Sequence, residues 1–187
     1  MKKKLVIVIS GPPGVGTTSV GKEVAKKLKL RFLSPGKTYK SFLKEKEAKA
    51  ALEFWKTRLG KSKKLHESLD KNQIKEAKKG NIVITGKLSI YFLKDIANYK
   101  IWLEAPLEVR AKRTSQRDKI SFEEALKQIS ERERMERKEW KDIYGFDYFD
   151  LKKYADLVLD NSNLTLKETV DKILSFIKSK KDCSNSE

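Results

Sequence analysis

The chain has few of the residues on which several classes of site depend. Of its 187 residues, one is a cysteine, Cys183, and one is a histidine, His66. A single cysteine excludes an intrachain disulfide and fits a reducing compartment, so we expect a cytoplasmic location. A single histidine argues against a histidine-based metal site and against a serine–histidine–aspartate triad.

Long hydrophobic runs are also missing. No apolar run approaches the roughly 18 residues that a membrane span needs. The lysine-rich start superficially resembles a signal peptide, but the apolar run after it reaches only from Leu5 to Ile9. It then breaks into Gly-Pro-Pro-Gly without a small-residue cleavage site. We therefore expect neither a membrane partner nor a secretion signal.

Acidic residues are outnumbered, with 26 Asp and Glu against 43 Lys and Arg, and the net charge is +17. Such an excess attracts phosphate, whether on a nucleotide, a nucleic acid or a membrane surface. The lysines are scattered through nearly every segment rather than gathered in one stripe. A solvated lysine surface is therefore the simpler interpretation, and a nucleic-acid partner stays open but is not favoured.

Strand-like runs alternate with helical ones along most of the chain. This alternation predicts an α/β fold with a five-stranded parallel sheet and helices on both faces. The predicted strands are 5–9, 31–33, 81–85, 99–103 and 155–160. Two capping boxes predict helix starts, Ser121 with Glu124 for a long helix to about Tyr144, and Thr165 with Glu168 for the last helix.

A length of 187 residues, with no linker inside the first 175 or so, predicts a single domain over residues 1–178, which we expect to be a monomer. Ser34 and Pro35 open a helical insertion over about 34–79, broken near 60–62, which we interpret as a second binding lobe. A polar connection around 114–121 suits a mobile lid, which we place at about 110–137. Residues 179–187 are predicted to form a polar, frayed tail.

The most informative segment is the glycine-rich turn between the first strand and the first helix. Gly11, Gly14 and Gly16 allow backbone amides to close around an anion at a helix N-terminus, as in a phosphate-binding loop. Thr18 occupies the position whose hydroxyl normally meets Mg²⁺. Thr17, however, stands where that loop carries a lysine. The segment predicts nucleotide binding, whereas the missing lysine leaves open how well the chain transfers a phosphoryl group.

Arginines follow the fourth predicted strand at helical spacing. Arg110, Arg113 and Arg117 share one helix face, and Arg132 lies on the next helix within a run rich in arginine and glutamate. The planar guanidinium can grip phosphate oxygens in a bidentate manner, so these side chains suit the stabilisation of a transferring phosphoryl group. For Arg132 a solvated face paired with neighbouring glutamates is an equally good interpretation.

The residues that would bind the molecule that accepts the phosphoryl group are less clear from the sequence. Ligands of doubly wound sheets gather beyond the carboxyl ends of the strands, which places Ser34, Lys87 and the glycine-rich loop around one crevice. Further polar candidates on the insertion are Tyr39, Lys40 and Asp70. The three tryptophans are expected in the core or in lobe packing, and His66 is expected to face solvent.

These residues resemble the nucleoside monophosphate kinases, and specifically the archaeal-type cytidylate kinases. The resemblance runs from about residue 4 to residue 177, and its carrying segments are Ile9–Thr18, Ser34–Lys40, Gly80–Lys87, Ile101–Arg113, Ile129–Arg134, Asp142–Asp147 and Asp156–Ser162. It implies ATP-dependent phosphorylation of CMP, and of dCMP, with Mg²⁺.

The resemblance also implies roles for individual residues. Arg110, Arg113, Arg117 and Arg132 belong to the lid and clamp phosphates, while Lys40 and Lys87 match arginines on the acceptor side. The ATP phosphates are held by Gly11, Pro12, Pro13, Gly14, Val15, Gly16, Thr17 and Thr18.

Some positions depart from the family pattern. Thr17 replaces the loop lysine, and Thr85 replaces the acidic residue of a Glu-Gly-Arg segment. Lys40 and Lys87 keep the charge of arginine but lose its bidentate fork. Two alternatives therefore stay open: a kinase of another nucleoside monophosphate, and a weakly catalytic nucleotide-binding protein that associates with RNA.

Overall fold

A computed structural model describes residues 4–36 and 47–184, and these contain a five-stranded sheet in which every neighbouring pair is parallel. The strands are β1 (Val6–Ser10), β2 (Arg31–Leu33), β3 (Ile82–Thr85), β4 (Tyr99–Glu104) and β5 (Leu157–Asp160), in the order β2-β3-β1-β4-β5. In register, Ile9 of β1 lies opposite Thr85 and Ile101. The predicted α/β fold with a parallel sheet is confirmed.

Helices connect these strands. They are α1 (Thr17–Leu28), α2 (Glu47–Lys56), α3 (Lys63–Lys79), the short α4 (Ser89–Phe92), α5 (Leu107–Asp118), α6 (Phe122–Tyr144) and α7 (Leu166–Ser184), with a 3₁₀ helix at Tyr148–Tyr154 before β5. Pro35 and Gly36 are also helical. None of the helices in the described ranges is long and apolar enough to cross a membrane.

The sheet buries both of its faces, as the apolar runs of its central strands predict. Val6, Val8 and Ile84 face one cluster, whereas Ile7 and Ile9 face a second cluster built with α1 and α7. The alternation follows from the pleat, which sends successive side chains to opposite faces. The three tryptophans are buried in the first cluster as expected, namely Trp55, Trp102 and Trp140.

Local signals fix several helix ends. Ser121 Oγ accepts a hydrogen bond from the Glu124 amide at 3.1 Å. At the last helix the Glu168 amide donates to Thr165 Oγ1 at 3.2 Å, while Glu168 Oε2 accepts from the Thr165 amide at 2.8 Å. The predicted capping box at Thr165 is thus formed, and Ser121 caps α6 through its hydroxyl. The predicted break near residues 60–62 is also present, between α2 and α3.

Three sequence-based expectations differ from the structure. The last helix continues to Ser184, so residues 179–184 are helical rather than frayed. The predicted polar connection at 114–121 is mostly helix, because α5 runs to Asp118 and leaves only 119–121 as a link. His66 does not face solvent: it is buried, its ring stacks on Trp55 at 5.1 Å, and its Nε2 lies 2.7 Å from the Gly60 carbonyl oxygen.

Candidate active site

The segments that follow the carboxyl ends of β1, β2, β3 and β5 surround one cavity of about 470 Å³. This volume is in the range of pockets that hold small-molecule ligands. The loop after β1, the turn after β3, the loop after β5 and helices α3, α5 and α6 all contribute side chains to its wall. The loop residues predicted to bind a nucleotide all line it: Gly11, Pro12, Pro13, Gly14, Val15, Gly16, Thr17 and Thr18.

At two positions the loop requires glycine, each for a different structural reason. A Cβ on Gly11 would lie 2.4 Å from the Leu103 carbonyl oxygen, so no side chain fits where the loop passes β4. Gly16 has φ +97°, a left-handed conformation that costs other residues energy, and it immediately precedes α1. The first turn of α1 therefore presents Thr17 and Thr18 to the cavity, with the positive end of the helix dipole behind them.

Arg110 holds the loop from behind. Its Nη1 donates to the Pro13 carbonyl oxygen at 2.9 Å and to Glu133 Oε2 at 2.8 Å, and its Nε donates to the Ala105 carbonyl oxygen at 3.0 Å. The side chain is 6% exposed and is absent from the residues that line the cavity. The structure thus places Arg110 apart from the other predicted lid arginines, because the loop and α6 occupy its donors.

Asn161, which sequence reasoning missed, fixes the loop from the other side. It follows β5, is buried, and donates from Nδ2 to the Val15 carbonyl oxygen at 3.1 Å. Its Oδ1 accepts from Arg113 Nη1 at 2.8 Å, and its backbone carbonyl also accepts from the Arg113 guanidinium. The sequence offers one signal for Asn161: it is a polar residue directly after a predicted strand, at the edge of the sheet where ligands bind.

Four cationic side chains line the cavity, three of them arginines predicted from the sequence. They are Lys87, Arg113, Arg117 and Arg132. Arg117 pairs with Asp118 on its own helix and is 43% exposed, whereas Arg132 is mostly buried and pairs with Glu136 at 2.8 Å. Asp70 is the one acidic side chain on this wall within residues 4–36 and 47–184. Cationic side chains therefore outnumber acidic ones on this wall among the described residues, which suits phosphate groups.

Glu136 organises two of these cations and was also missed by sequence reasoning. Its Oε1 accepts from Lys87 Nζ at 3.0 Å, from Arg132 Nε at 2.8 Å and from Trp55 Nε1 at 3.1 Å. Burial favours the neutral acid, but Arg132 and Lys87 outweigh it and lower the pKa of Glu136. The glutamate-rich stretch 131–137 is typical of a solvated helix face, so its sequence gave no signal for a buried carboxylate.

Asp70 lies in a hydrogen-bonded network on the α3 side of the cavity. Its Oδ1 accepts from Gln73 Nε2 at 2.8 Å, and its Oδ2 accepts from the Tyr144 hydroxyl. Gln73 Oε1 in turn accepts from Ser89 Oγ at 2.6 Å. Burial raises the pKa of Asp70 to about 6, although both donors act in the opposite direction. This wall therefore presents side chains held in a fixed direction by hydrogen bonds, rather than a charged group without hydrogen-bond partners.

The remaining predicted site residues fall in two groups. Ser34 lines the cavity beside the turn after β3. Tyr39 and Lys40 lie outside the described residues. Lys22, considered as a spatial substitute for the absent loop lysine, is exposed and does not line the cavity. Of the lysines in the described ranges, Lys87 is the one that reaches the wall.

Hydroxyl groups rather than carboxylates are available where a metal would meet the loop. Thr18 and Thr85 both line the cavity, and Thr85 Oγ1 is buried without a hydrogen-bond partner in the described part of the chain. No group of three or more potential metal-binding side chains occurs among those residues. This set fits a hard cation that takes most of its ligands from phosphate oxygens and water, as Mg²⁺ does.

Comparisons with known proteins agree with the geometry. The sequence profile of the cytidylate kinase-like family matches residues 6–163. A cytidylate kinase of Pyrococcus horikoshii is 40% identical over 161 residues, covering 86% of this chain and 82% of that protein. A cytidylate kinase of Pyrobaculum calidifontis is 39% identical over 173 residues, with 92% of each covered. A shikimate kinase of Acinetobacter baumannii solved with shikimate has a TM-score of 0.62 and 16% identity over 96% of each chain, a likeness of fold alone.

Proposed function

The chain belongs to the cytidylate kinase-like family, and from this premise we propose that it transfers the γ-phosphoryl group of ATP to CMP, and to dCMP. The observation that carries the proposal is the convergence of a phosphate-binding loop and four cationic side chains on one cavity. Phosphoryl transfer between two nucleotides demands positioned positive charge more than a nucleophile from the protein.

ATP is assigned to the loop side of the cavity. The backbone amides from Gly11 to Thr18 and the N-terminus of α1 bind its phosphates, and the Thr18 hydroxyl holds the accompanying Mg²⁺. When bound, Mg²⁺ supplies neutralising charge to the phosphate oxygens. Arg113 and Arg117, which line the cavity on α5, contact the transferring group. Arg110 acts through the loop: its bond to Pro13 keeps the phosphate-binding backbone in place.

CMP is assigned to the opposite side, between the turn after β3 and helices α3 and α6. Lys87 and Arg132 bind its phosphate, because both line the cavity on this side and share Glu136 as a carboxylate partner. Ser34 and the network around Asp70 bind the nucleoside. Tyr39 and Lys40, outside the described residues, stay proposed acceptor contacts from the sequence.

The reaction proceeds without a strong base from the protein. An oxygen of the CMP phosphate attacks the γ-phosphorus of ATP, the bond from that phosphorus to the β,γ-bridging oxygen breaks, and CDP and ADP form. The nucleophile is already an anionic oxygen, so no proton has to be removed. Cations aimed at the equatorial oxygens stabilise the charge of the transition state, and closure of the segment 110–137 excludes water.

The replaced residues affect the rate rather than the reaction class. Thr17 leaves the loop without its own lysine, and Thr85 contributes a hydroxyl where the family pattern has a carboxylate. Losing one charged transition-state contact costs on the order of 10²-fold in rate. The cations on α5 and α6 supply charge to the same cavity, so we expect turnover that is slow but specific.

Other parts of the proposal concern the whole protein. We assign one domain to residues 1–178, with an acceptor-binding lobe at about 34–79 and a mobile lid at about 110–137. We further propose a monomer located in the cytoplasm, with nucleoside monophosphates rather than nucleic acid as its partners.

The test is an ADP-release assay with Mg·ATP against CMP, dCMP, UMP, AMP and GMP, with a control that lacks an acceptor. We expect the highest kcat/KM with CMP and dCMP and a negligible rate in the control. Preference for another acceptor would reassign the substrate within the same reaction class. Silence with every acceptor, together with steeply salt-dependent RNA binding, would favour the RNA-associated alternative instead.

A further inference from the structure

His66 is a buried polar side chain on the wall of the cavity, and the proposed reaction makes no use of it. It lies near the start of α3, is 5% exposed, and lines the cavity together with Asp70 and Gln73 of the same helix. These three residues share one helix face, because side chains three and four residues apart are neighbours. A buried imidazole ring needs a hydrogen-bond partner for each of its two nitrogen atoms.

Two contacts fix the His66 ring and its tautomer. Nε2 lies 2.7 Å from the Gly60 carbonyl oxygen. A carbonyl oxygen can only accept a hydrogen bond, so Nε2 carries the hydrogen, and Nδ1 of the neutral ring is an acceptor. The ring also stacks on Trp55 with an angle of 13° between the two planes. The position and the polarity of Nδ1 are thus set before any ligand binds.

The link between α2 and α3 holds the carbonyl group that His66 binds. The Gly60 amide donates to Thr57 Oγ1 at 3.0 Å. A Cβ on Gly60 would lie 2.1 Å from the Phe54 carbonyl oxygen, so only glycine fits at this point of the link. The close packing of this link therefore also determines which nitrogen of His66 remains an acceptor.

The Nδ1 atom of His66 has no hydrogen-bond partner within residues 4–36 and 47–184. Burial lowers the pKa of His66, although the bond to Gly60 and the charges of Glu136 and Glu139 act in the opposite direction. The ring is therefore neutral at neutral pH, and Nδ1 keeps its lone pair. Since the ring lines the cavity, a ligand there that carries an N–H or O–H group can supply the missing partner.

A second acceptor beside His66 favours an amino group as that partner. The Asp70 carboxylate, four residues further along α3, accepts from Gln73 and Tyr144 and has lone pairs left. Side chains at this spacing are about 5–6 Å apart at their Cβ atoms. The two acceptors of one amino group, each about 2.9 Å from its nitrogen, are about 5 Å apart. An amino group therefore matches this pair, whereas a carbonyl oxygen would meet two acceptors.

We propose that His66 is a specificity-determining residue whose Nδ1 accepts a hydrogen bond from the 4-amino group of the cytosine base. This inference rests on the proposed function, because it names how that site recognises its acceptor nucleotide. UMP carries a carbonyl oxygen in place of the amino group, so the same nitrogen disfavours it. His66 contacts the base and takes no part in the transfer of the phosphoryl group.

The experiment compares kcat/KM for CMP with kcat/KM for pyrimidin-2-one ribonucleoside 5′-monophosphate, which lacks only the 4-amino group. ADP release is measured with Mg·ATP at neutral pH for the unmodified chain and for His66→Phe and His66→Asn. Phenylalanine keeps a ring against Trp55 but has no acceptor. Asparagine loses the ring and the bond to Gly60, but its side-chain oxygen can occupy the place of Nδ1, because both atoms are bonded to Cγ.

The control is Ser62→Ala, which weakens the same end of α3 without touching the cavity. Ser62 Oγ accepts from the Leu65 amide at 3.4 Å, and neither residue lines the cavity. Its loss removes the cap of the helix that carries His66. Damage to α3 alone is expected to lower kcat/KM for both nucleotides by the same factor.

For the unmodified chain we expect a preference for CMP of at least about tenfold, because the nucleotide without the amino group leaves buried acceptors unpaired. In His66→Phe this preference falls about fivefold or more, the effect of one hydrogen bond. His66→Asn and Ser62→Ala keep the preference even where both rates fall. A structural role for His66 predicts no such difference, since both His66 variants lose the bond to Gly60.

An unchanged preference in His66→Phe, equal preferences in the two His66 variants, or equal kcat/KM for both nucleotides in the unmodified chain overturns this inference alone. Absence of CMP phosphorylation by the unmodified chain contradicts the proposed function itself. Thermal unfolding is recorded for each variant. Should His66→Phe not fold, His66→Gln takes its place: its amide reaches Gly60, but the position of Nδ1 has no acceptor, so the preference falls. A preference equal to that of the unmodified chain then overturns the inference.

Discussion

Replacing Arg110 with lysine distinguishes two roles for this side chain, contact with the transferring phosphoryl group and support of the phosphate-binding loop. The sequence predicts a lid residue that contacts the transferring phosphoryl group. In the structure its side chain instead donates to the Pro13 carbonyl of the phosphate-binding loop, to Glu133 on α6 and to the Ala105 carbonyl just before α5. We therefore expect Arg110→Lys to act on stability and on ATP binding rather than directly on the chemical step.

The size of the effect follows from the bonds that lysine cannot replace. One ammonium at this position can keep the ion pair with Glu133, which lies 2.8 Å from the present guanidinium, but not the carbonyl bonds to Pro13 and Ala105 as well. A hydrogen bond to a charged group contributes about 1.5–3 kcal/mol, and an unpaired buried carbonyl costs about 1–3 kcal/mol. We expect the free energy of unfolding to fall by about 2–4 kcal/mol, which lowers Tm by about 4–16 °C in a domain of this size.

The assay pairs thermal unfolding with initial rates at varied ATP and saturating CMP. The control is Arg134→Lys, because Arg134 is exposed on α6. We expect a KM for ATP about tenfold higher in Arg110→Lys and little change in kcat, because the loop is misplaced while the cations of the cavity remain. An unchanged Tm together with a kcat lower by about 10²-fold or more would refute this reasoning, since it indicates direct contact with the transition state.

Three further predictions test other parts of the site. At saturating Mg²⁺ we expect Thr18→Ala to lower kcat by about 10²-fold or more and Thr18→Ser to retain activity, because only a hydroxyl can coordinate the metal. Steady-state kinetics measures both variants, and equal rates would contradict this role. The raised pKa of Asp70, about 6, means that the folded state binds a proton more tightly than the unfolded state, so chemical denaturation should show stability lost as pH rises from about 4 to about 6. In Asp70→Asn the decrease in stability between these pH values should be smaller by up to about 3 kcal/mol. An unchanged pH dependence would mean that the Asp70 carboxyl does not have a raised pKa in the folded state. Asn161→Ala removes the donor to the Val15 carbonyl and one of the acceptors of Arg113, whose bond to the backbone carbonyl of residue 161 remains. Calorimetry should therefore show about 1–3 kcal/mol less stability, and no loss would mean that the loop does not depend on this side chain.

The fold was predictable from the sequence because its signals are local. Short β-branched runs, a glycine-rich turn and two capping boxes each report on a few neighbouring residues, and the five strands follow in the predicted places. Even the turn after β3 could be placed, since ligand-binding loops of parallel sheets lie at the carboxyl ends of the strands. That rule is sufficient to bring Thr18, Ser34 and Lys87 to one cavity.

What could not be predicted depends on contacts between distant segments. Glu136 and Glu131 stand in the same charged run, yet one is buried beside Lys87 and the other pairs with Lys56 near the surface. Arg110 and Arg113 are one turn apart on α5, and only the packing of the loop decides which of them lines the cavity. His66 similarly follows a polar helical pattern, but Trp55 and Gly60 enclose it.

Transfer of the γ-phosphoryl group from ATP to CMP in this cavity can be observed by ³¹P nuclear magnetic resonance. The chain is incubated with Mg·ATP and CMP, and the phosphorus signals of both nucleotides are followed with time. We expect CDP and ADP in equal amounts, with no inorganic phosphate beyond that of a protein-free control. Accumulation of ADP and inorganic phosphate while CMP stays unchanged would contradict it.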